Sequence, residues 1–271
     1  MEVAHIRIIS ICPSNTELLA YLGALDQLIA VDDFSDWPEQ VNMLPRLGPD
    51  LSIRMDDLEG LQPDLVLASL SVPGMEKNVA ELEKRGIPHL VLNPQSLFDI
   101  RQDLQKTGKA IGTDPTSSLM QYDIILEEIR ERGRRTASTP SLYWEWWPKP
   151  VFTPGGINWL TEISRITGAS NVFGDVDEAS IQTDWEAVRK LDPDYILLAW
   201  VGVLASNVKP AVVKKRPGWM EMKAISNIHI MEEFLYCRPS PRLLEGAIRL
   251  GKLIHPEQYE DMEIPHWLTN L

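Results

Sequence analysis

LQPDLVLA at residues 61–68 returns as LDPDYILL at residues 191–198, 130 positions further along a chain of 271. In each copy a short run of helical periodicity, carrying Leu58 and Leu61 or Val188 and Leu191, meets Pro-Asp and then an apolar run of strand length. Proline cannot continue a helix, and the residue before it is pushed out of the right-handed helical region, so helix gives way to strand there. The period is too long for a solenoid, whose repeats span roughly 20–50 residues. Two similar α/β lobes are the reading, and two lobes make a cleft.

Outward from these phrases the same alternation continues. A strand at 7–11 runs into CPSNTELLAYLG, where Ser14 and Glu17 have capping-box spacing and Gly23 supplies a helix stop. Strands at 28–31, 64–68 and 89–92 alternate with helices at 75–85 and 97–111, which predicts a mostly parallel sheet covered on both faces. After Asp114-Pro115, the residues Leu119, Tyr122, Ile125, Leu126 and Ile129 recur at helical spacing as far as Gly133, one helix joining the lobes. The pattern restarts with SLYWEWW at 141–147 as a strand, helices at 159–167 and 185–191, a strand at 195–200, a helix at 210–215, a strand at 228–231 and a helix at 241–254. The expected division is an N-terminal α/β lobe at 1–113, a connecting helix at 114–136 and a C-terminal α/β lobe at 137–271. A continuous helix flexes less than a loop, so modest motion between lobes is expected.

With 44% hydrophobic and 24% charged residues the chain reads as globular, large enough for two modest cores. A net charge of −13 repels a phosphate backbone, and no basic cluster larger than 130–135 offsets it. Arg132, Arg134 and Arg135 fit a helix end, where cations complement the dipole. Nucleic acid and anionic membrane surfaces are therefore poor candidate partners. The longest apolar stretch, 195–205, falls short of the roughly 20 residues that cross a bilayer, so no transmembrane segment is expected. Residues 6–11 read as a strand rather than as part of an export signal. The chain as written is expected in the cytoplasm, or in the cell envelope or periplasm if a signal was removed, and as a monomer. Cys12 and Cys237 are too few for a disulfide scaffold and form no CxxC unit, so buried free thiols are expected.

Ligands of parallel α/β sheets bind beyond the carboxyl ends of the strands. Those positions are 13–15, 34–37, 69–73 and 93–95 in the first lobe, and 145–147, 200–203 and 233–238 in the second. They hold aromatics, amides and few charges, which suits an amphipathic organic ligand with a large face and not a phosphate. In a strand WEWW, Trp144 and Trp146 would face one way and Glu145 and Trp147 the other, so one side is core and a tryptophan is a candidate for the cleft wall. No GxSxG, GxxxxGK[ST], HExxH or GxGxxG occurs, and common hydrolase, nucleotide and zincin chemistries have no support. His5, His89, His229, His255 and His266 are scattered and give no metal site; His89 and His229 alone could approach a cleft. Cys12 and Cys237 fall near strand ends, one per lobe, where a thiol contact to ligand stays open.

RIISICPSNTELLAYLG, IAVDDFSDWP, LQPDLVLAS, TPGGINWLTEISRITGASNVFGD and RPSPRLLEGAIRL together resemble, in order and over nearly the whole chain, the cobalamin-binding proteins of the helical-backbone, ABC-transporter-associated class of substrate-binding proteins. Siderophore-, haem- and metal-binding relatives share the strand-Pro-Ser-x-Thr-Glu start and the Pro-Asp phrase. The resemblance implies a bilobal protein with a rigid connecting helix that holds a corrinoid in its cleft without catalysis and meets an ABC transporter permease. Its expected ligand-binding residues are Pro13 at the cleft edge, Phe34 packed on the corrin, Trp37, Trp147, Trp200, and the loop 233–238 with Glu233, Tyr236 and Arg238. Arg238 would donate to corrin amides through its planar fork. Glu76 matches a lobe-tip carboxylate that docks on transporter arginines. No catalytic residue, metal or catalytic cofactor is expected. Two departures stand out: the export or lipoprotein signal of the family is not seen, and Ser69-Leu70-Ser71 stands where a tryptophan often follows the Pro-Asp strand. The alternatives are a siderophore or haem binder of the same fold and a cytoplasmic enzyme acting on a cofactor precursor.

Overall fold

The computed structural model describes residues 6–269, and in it the two Pro-Asp phrases fold alike. Gln62 and Asp192, at equivalent places 130 apart, have φ of 48° and 41° and are the two non-glycine residues with positive φ among the described residues. The residue before each proline has left the right-handed region by crossing into the left-handed one, as a helix C-terminus commonly does. The aspartate that follows each proline then staples two strand starts. Asp64 accepts from Arg7 N at 2.8 Å and returns its own N–H to Arg7 O, while Asp194 accepts from Ser141 N at 2.7 Å and returns its N–H to Ser141 O.

In the first lobe β1 (Ile8–Ser10), α1 (Pro13–Tyr21), β2 (Leu28–Val31), α2 (Met55–Gly60), β3 (Leu65–Ser69), α3 (Glu76–Arg85), β4 (His89–Leu92) and α4 (Leu97–Ala110) alternate as expected. Their sheet runs β2-β1-β3-β4, every pair parallel. The capping box is not formed: Cys12 is the N-cap of α1, Pro13 occupies its first turn, and Ser14 and Glu17 lie inside the helix. Proline at N1 starts a helix without needing an N–H partner, which frees Glu17 for another use described below. Gly23 closes the segment at φ 67°, a conformation that glycine adopts freely.

The connecting helix α5 (Thr116–Gly133) is unbroken over 18 residues. Beyond it come β5 (Ser141–Glu145), β6 (Trp147–Pro148), β7 (Val151–Pro154), α6 (Trp159–Ile166), β8 (Ser170–Asn171), β9 (Ser180–Thr183), α7 (Trp185–Leu191), β10 (Tyr195–Leu198), α8 (Pro210–Lys214), β11 (Ile228–Ile230), α9 (Glu233–Tyr236), α10 (Leu243–Ile254), α11 (Pro256–Tyr259) and α12 (His266–Thr269). The second parallel sheet runs β11-β10-β5-β8, and a small antiparallel sheet runs β6-β7-β9. That second sheet corrects the reading of SLYWEWW as one strand. Proline cannot donate to a ladder, so with Pro148 and Pro150 next in sequence the chain leaves β5 after Glu145 and turns back as a hairpin, Trp147 opposite Phe152. Likewise α10 starts at Leu243, two residues later than its proline implied.

Alternation along the strands divides the core. Ile9, Val66 and Ala68 face an outer cluster of the first lobe, and Tyr143, Ile196 and Leu198 face an outer cluster of the second. Their strand neighbours Ile8, Leu67, Leu142, Trp144 and Leu197 belong to one continuous central core, together with α1, α4, α5, α6 and α10. The lobes thus share their largest apolar cluster. Within the second lobe Glu145, fully buried, pairs with Arg216 at 2.5 Å and also accepts from Tyr143 Oη and Trp200 Nε1. The Arg216 guanidinium lies over Trp219 and Trp185, at 4.5 and 5.1 Å from their ring centres.

Candidate ligand cleft

A cavity of about 690 Å³ opens between the lobes. Its first-lobe wall is the loop after β3, with Leu70, Val72 and Pro73, and the loop after β4, with Gln95. Both loops follow the carboxyl ends of parallel strands, where such sheets bind ligands. The second-lobe wall is aromatic: Trp146 and Trp147 where β5 gives way to β6, Phe152 on β7, and Trp159 at the start of α6. Trp146 and Trp159 face each other at 6.0 Å between ring centres. Asn158 caps α6 by accepting from Leu160 N, and this fixes the entry of Trp159, whose indole donates to Tyr236 O at 2.9 Å. Apolar area with a few amides and one carboxylate can hold a large, flat, mostly uncharged ligand by contact and sparse hydrogen bonding.

Of the residues that the sequence singled out, Trp147, Glu76 and Cys237 line this cavity, as do members of the strand-end stretches 69–73, 93–95, 145–147 and 200–203. Trp147 is 42% exposed and stands free of the core. Glu76 is the first residue of α3, and the backbone N–H groups of Glu76 itself and of Gly74 hold its carboxyl below the ordinary range. The Cys237 thiol is pushed well up by burial and donates to Ala199 O. The others lie elsewhere. Pro13 is buried in α1, Trp37 packs on Tyr21, Trp200 donates to Glu145, and Tyr236 is 1% exposed with its hydroxyl on Gly246 O. Phe34, half exposed, is outside the cavity lining. Trp146 falls in the stretch 145–147 expected at the cleft; Phe152 and Trp159 were not singled out, because a fold-back into a hairpin leaves no periodic trace in the sequence and an indole at a helix start reads as core.

Arg238 has no free donor face. Its guanidinium meets Asp36 at 2.6 Å, Glu233 at 3.2 Å and Glu17 at 3.5 Å. Arg242 approaches the same Glu17 at 3.3 Å and is held between the rings of Trp37 and Phe234, while the Ser240 hydroxyl also donates to Glu17. Burial pushes Glu17 up, and the two arginines and Ser240 act against it. Burial also works against the Arg238 charge, but Glu17, Glu233 and Asp36 outweigh it and keep the guanidinium firmly protonated. Close by in the first lobe Asp32, also pushed up by burial to about 6, accepts from Ser35 Oγ and from the N–H groups of Phe34 and Ser35. Thr16 bridges Ser35 to Ser10, and Asn15 donates to Ala68 O, so the CPSNTE segment knits strand ends together instead of facing the cleft.

His89 is bonded to Ile87 O, His229 is pushed down by burial, and His255 sits beside Glu257; His5 lies outside the described residues. Among the described residues no group of three or more His, Cys, Asp or Glu could hold a metal ion, and no helix is long and apolar enough to cross a membrane.

The family model described as periplasmic binding protein matches residues 8–232. The chain belongs to that family. Among curated relatives it is 29% identical over 269 residues to an uncharacterized ABC transporter substrate-binding lipoprotein, YvrC of Bacillus subtilis, covering 94% of this chain and 82% of that one. It is also 29% identical over 248 residues to a vitamin B12-binding protein of Vibrio vulnificus, covering 88% and 86%. Among solved structures the periplasmic vitamin B12 binding protein BtuF of Vibrio cholerae superposes with a TM-score of 0.75 at 22% identity, covering 93% of this chain and 97% of that one. The chain therefore has the two-lobed α/β architecture that its repeated phrase foretold, shared with a solved protein along almost its whole length.

Proposed function

We propose that this protein binds cobalamin or a related corrinoid in the cleft between its lobes, without turning it over, and presents it as a monomer to an ABC importer at the cell envelope. The observation that carries the reading is the aromatic second-lobe wall facing the carboxyl-end loops of the first lobe, in a chain 29% identical to a vitamin B12-binding protein over most of both lengths. A corrin ring offers a broad, weakly polar face fringed with amides. Trp146, Trp147 and Trp159 would take the face, and Gln95 and Asn158 the fringe. The lipoprotein relative named as an ABC transporter substrate-binding protein supports the importer partner and the envelope location. For the division of labour we take residues 1–113 and 137–271 as the lobes and 114–136 as the connector.

Isothermal titration with cyanocobalamin is the test. Saturable one-to-one binding, with quenching of tryptophan fluorescence, supports the reading. Failure to bind any corrinoid at tens of micromolar would sink it.

A further inference from the structure

Resting on the corrinoid reading, we infer that the cleft selects among corrinoids by charge, favouring a cationic corrinoid that lacks the phosphate-bearing nucleotide loop over the complete, charge-compensated cobalamin. The cavity wall carries one charged side chain, the carboxylate of Glu76, and among the described residues no lysine, arginine or histidine lines it. Backbone N–H groups keep that carboxylate ionised. Two cations adjoin wall residues in sequence: Lys77, next to Glu76, stands outside the lining and acts on the Glu76 carboxyl, and Arg238, next to Cys237, is already committed to Asp36, Glu233 and Glu17. Asp50, whose carboxyl is pushed up by burial, with Glu233 adding to the push, joins the same group, so four carboxylates meet the two guanidinium groups of Arg238 and Arg242.

A ligand entering this cleft therefore meets the negative field of Glu76 with no cation on the described lining to receive an anion, inside a chain of net charge −13. Cyanocobalamin is neutral because its nucleotide phosphate balances the cobalt centre, and that phosphate must sit in the field. The base-free aquocyano precursor keeps the same cyano ligand and corrin amides but has no phosphate and is a monocation. Glu76 is exposed, so the discrimination is modest and sensitive to salt.

The experiment measures the ratio of dissociation constants for cyanocobalamin and aquocyanocobinamide, in the wild type and in Glu76→Gln, at low and high salt, with haemin as a dicarboxylate comparison. The glutamine keeps an acceptor for Gly74 N–H and loses only the charge. The inference expects cobinamide to gain on cobalamin by about threefold or more at low salt relative to 0.5 M salt, the same gain to be lost in Glu76→Gln, and haemin to bind weakest. A ratio unmoved by both salt and Glu76→Gln overturns the charge selection while leaving the corrinoid reading intact. Binding of neither corrinoid, or haemin binding tighter than both, overturns the corrinoid reading and the selection with it.

Discussion

Arg238 of the second lobe donates to Asp36 of the first across 2.6 Å, and the bond crosses between lobes that are 202 residues apart in sequence at that point. The loop match had implied that Arg238 reaches for a corrin amide. In the structure its side chain is 11% exposed, and the guanidinium closes a buried ion cluster that Glu17 anchors from α1. We therefore expect Arg238→Ala to act first on folding. It leaves Glu17 buried with one arginine fewer, at a cost of about 2–3 kcal/mol in urea denaturation. Asp36→Asn touches the exposed end of the cluster and should cost less than about 1 kcal/mol. Equal stability of wild type and Arg238→Ala, with corrinoid affinity lost, would return the arginine to the ligand.

Asp32 gives a pH dependence of defined sign. Burial raises its carboxyl to about 6 from the ordinary 3.8, against hydrogen bonds from Ser35 and Phe34. The native state thus keeps a proton that the unfolded chain has already released. Between about pH 4 and 6 the folded protein binds more protons than the unfolded one, so this group's contribution to stability falls as pH rises through that window and levels off above it. Asp32→Asn keeps a side-chain acceptor for the N–H groups of Phe34 and Ser35 and removes the titration. The difference in unfolding free energy, wild type minus variant, should drop by on the order of 2 kcal/mol between pH 4 and 6.5. A difference that stays flat or rises with pH would contradict the buried assignment.

Glu145 and Arg216 are both almost wholly buried, and the guanidinium is the cation that balances that carboxylate. Arg216→Met strips the charge partner and also the contacts over Trp185 and Trp219. The single variant should lose about 3–5 kcal/mol, because an unpaired charge is left in the interior. Adding Glu145→Gln removes that charge and should recover a good part of the loss. Denaturant titration of the two variants checks this; a double variant less stable than the single one would mean that the pair itself, not the stranded charge, carries the stability.

How much of this was legible follows from where each signal lives. The Pro-Asp phrase encodes a local event, helix stop and strand start, and Gln62 and Asp192 execute it identically in both lobes. The parallel sheets, the continuous α5 and the loops that face the cleft follow from such local events. Individual cleft residues do not. Trp144 and Trp147 share a sequence run, yet one is fully buried on β5 and the other half exposed on β6, because the chain breaks between them at a place set by prolines further on. Arg238 and Glu17 meet only through the packing of α1 against the second lobe, a relation between 17 and 238 that no local pattern carries.

The lobes should move little on ligand binding. Hinge closure needs a few residues that absorb a large backbone rotation, and α5 offers none over its 18 residues. Three further ties cross the interface away from that helix: Glu162 of α6 accepts from Leu97 N at the start of α4, Arg242 is held between Trp37 and Phe234, and Tyr21 Oη donates to Leu268 O. Above all, Ile8 and Leu67 of the first sheet share one apolar cluster with Leu142, Trp144 and Leu197 of the second, so opening the cleft by a domain rotation would expose core to water. Small-angle scattering with and without cyanocobalamin should give radii of gyration within about 0.5 Å of each other, in keeping with packed elements that shift without rotating. A contraction of several ångströms would show that the shared core parts in solution and that the ligand closes it.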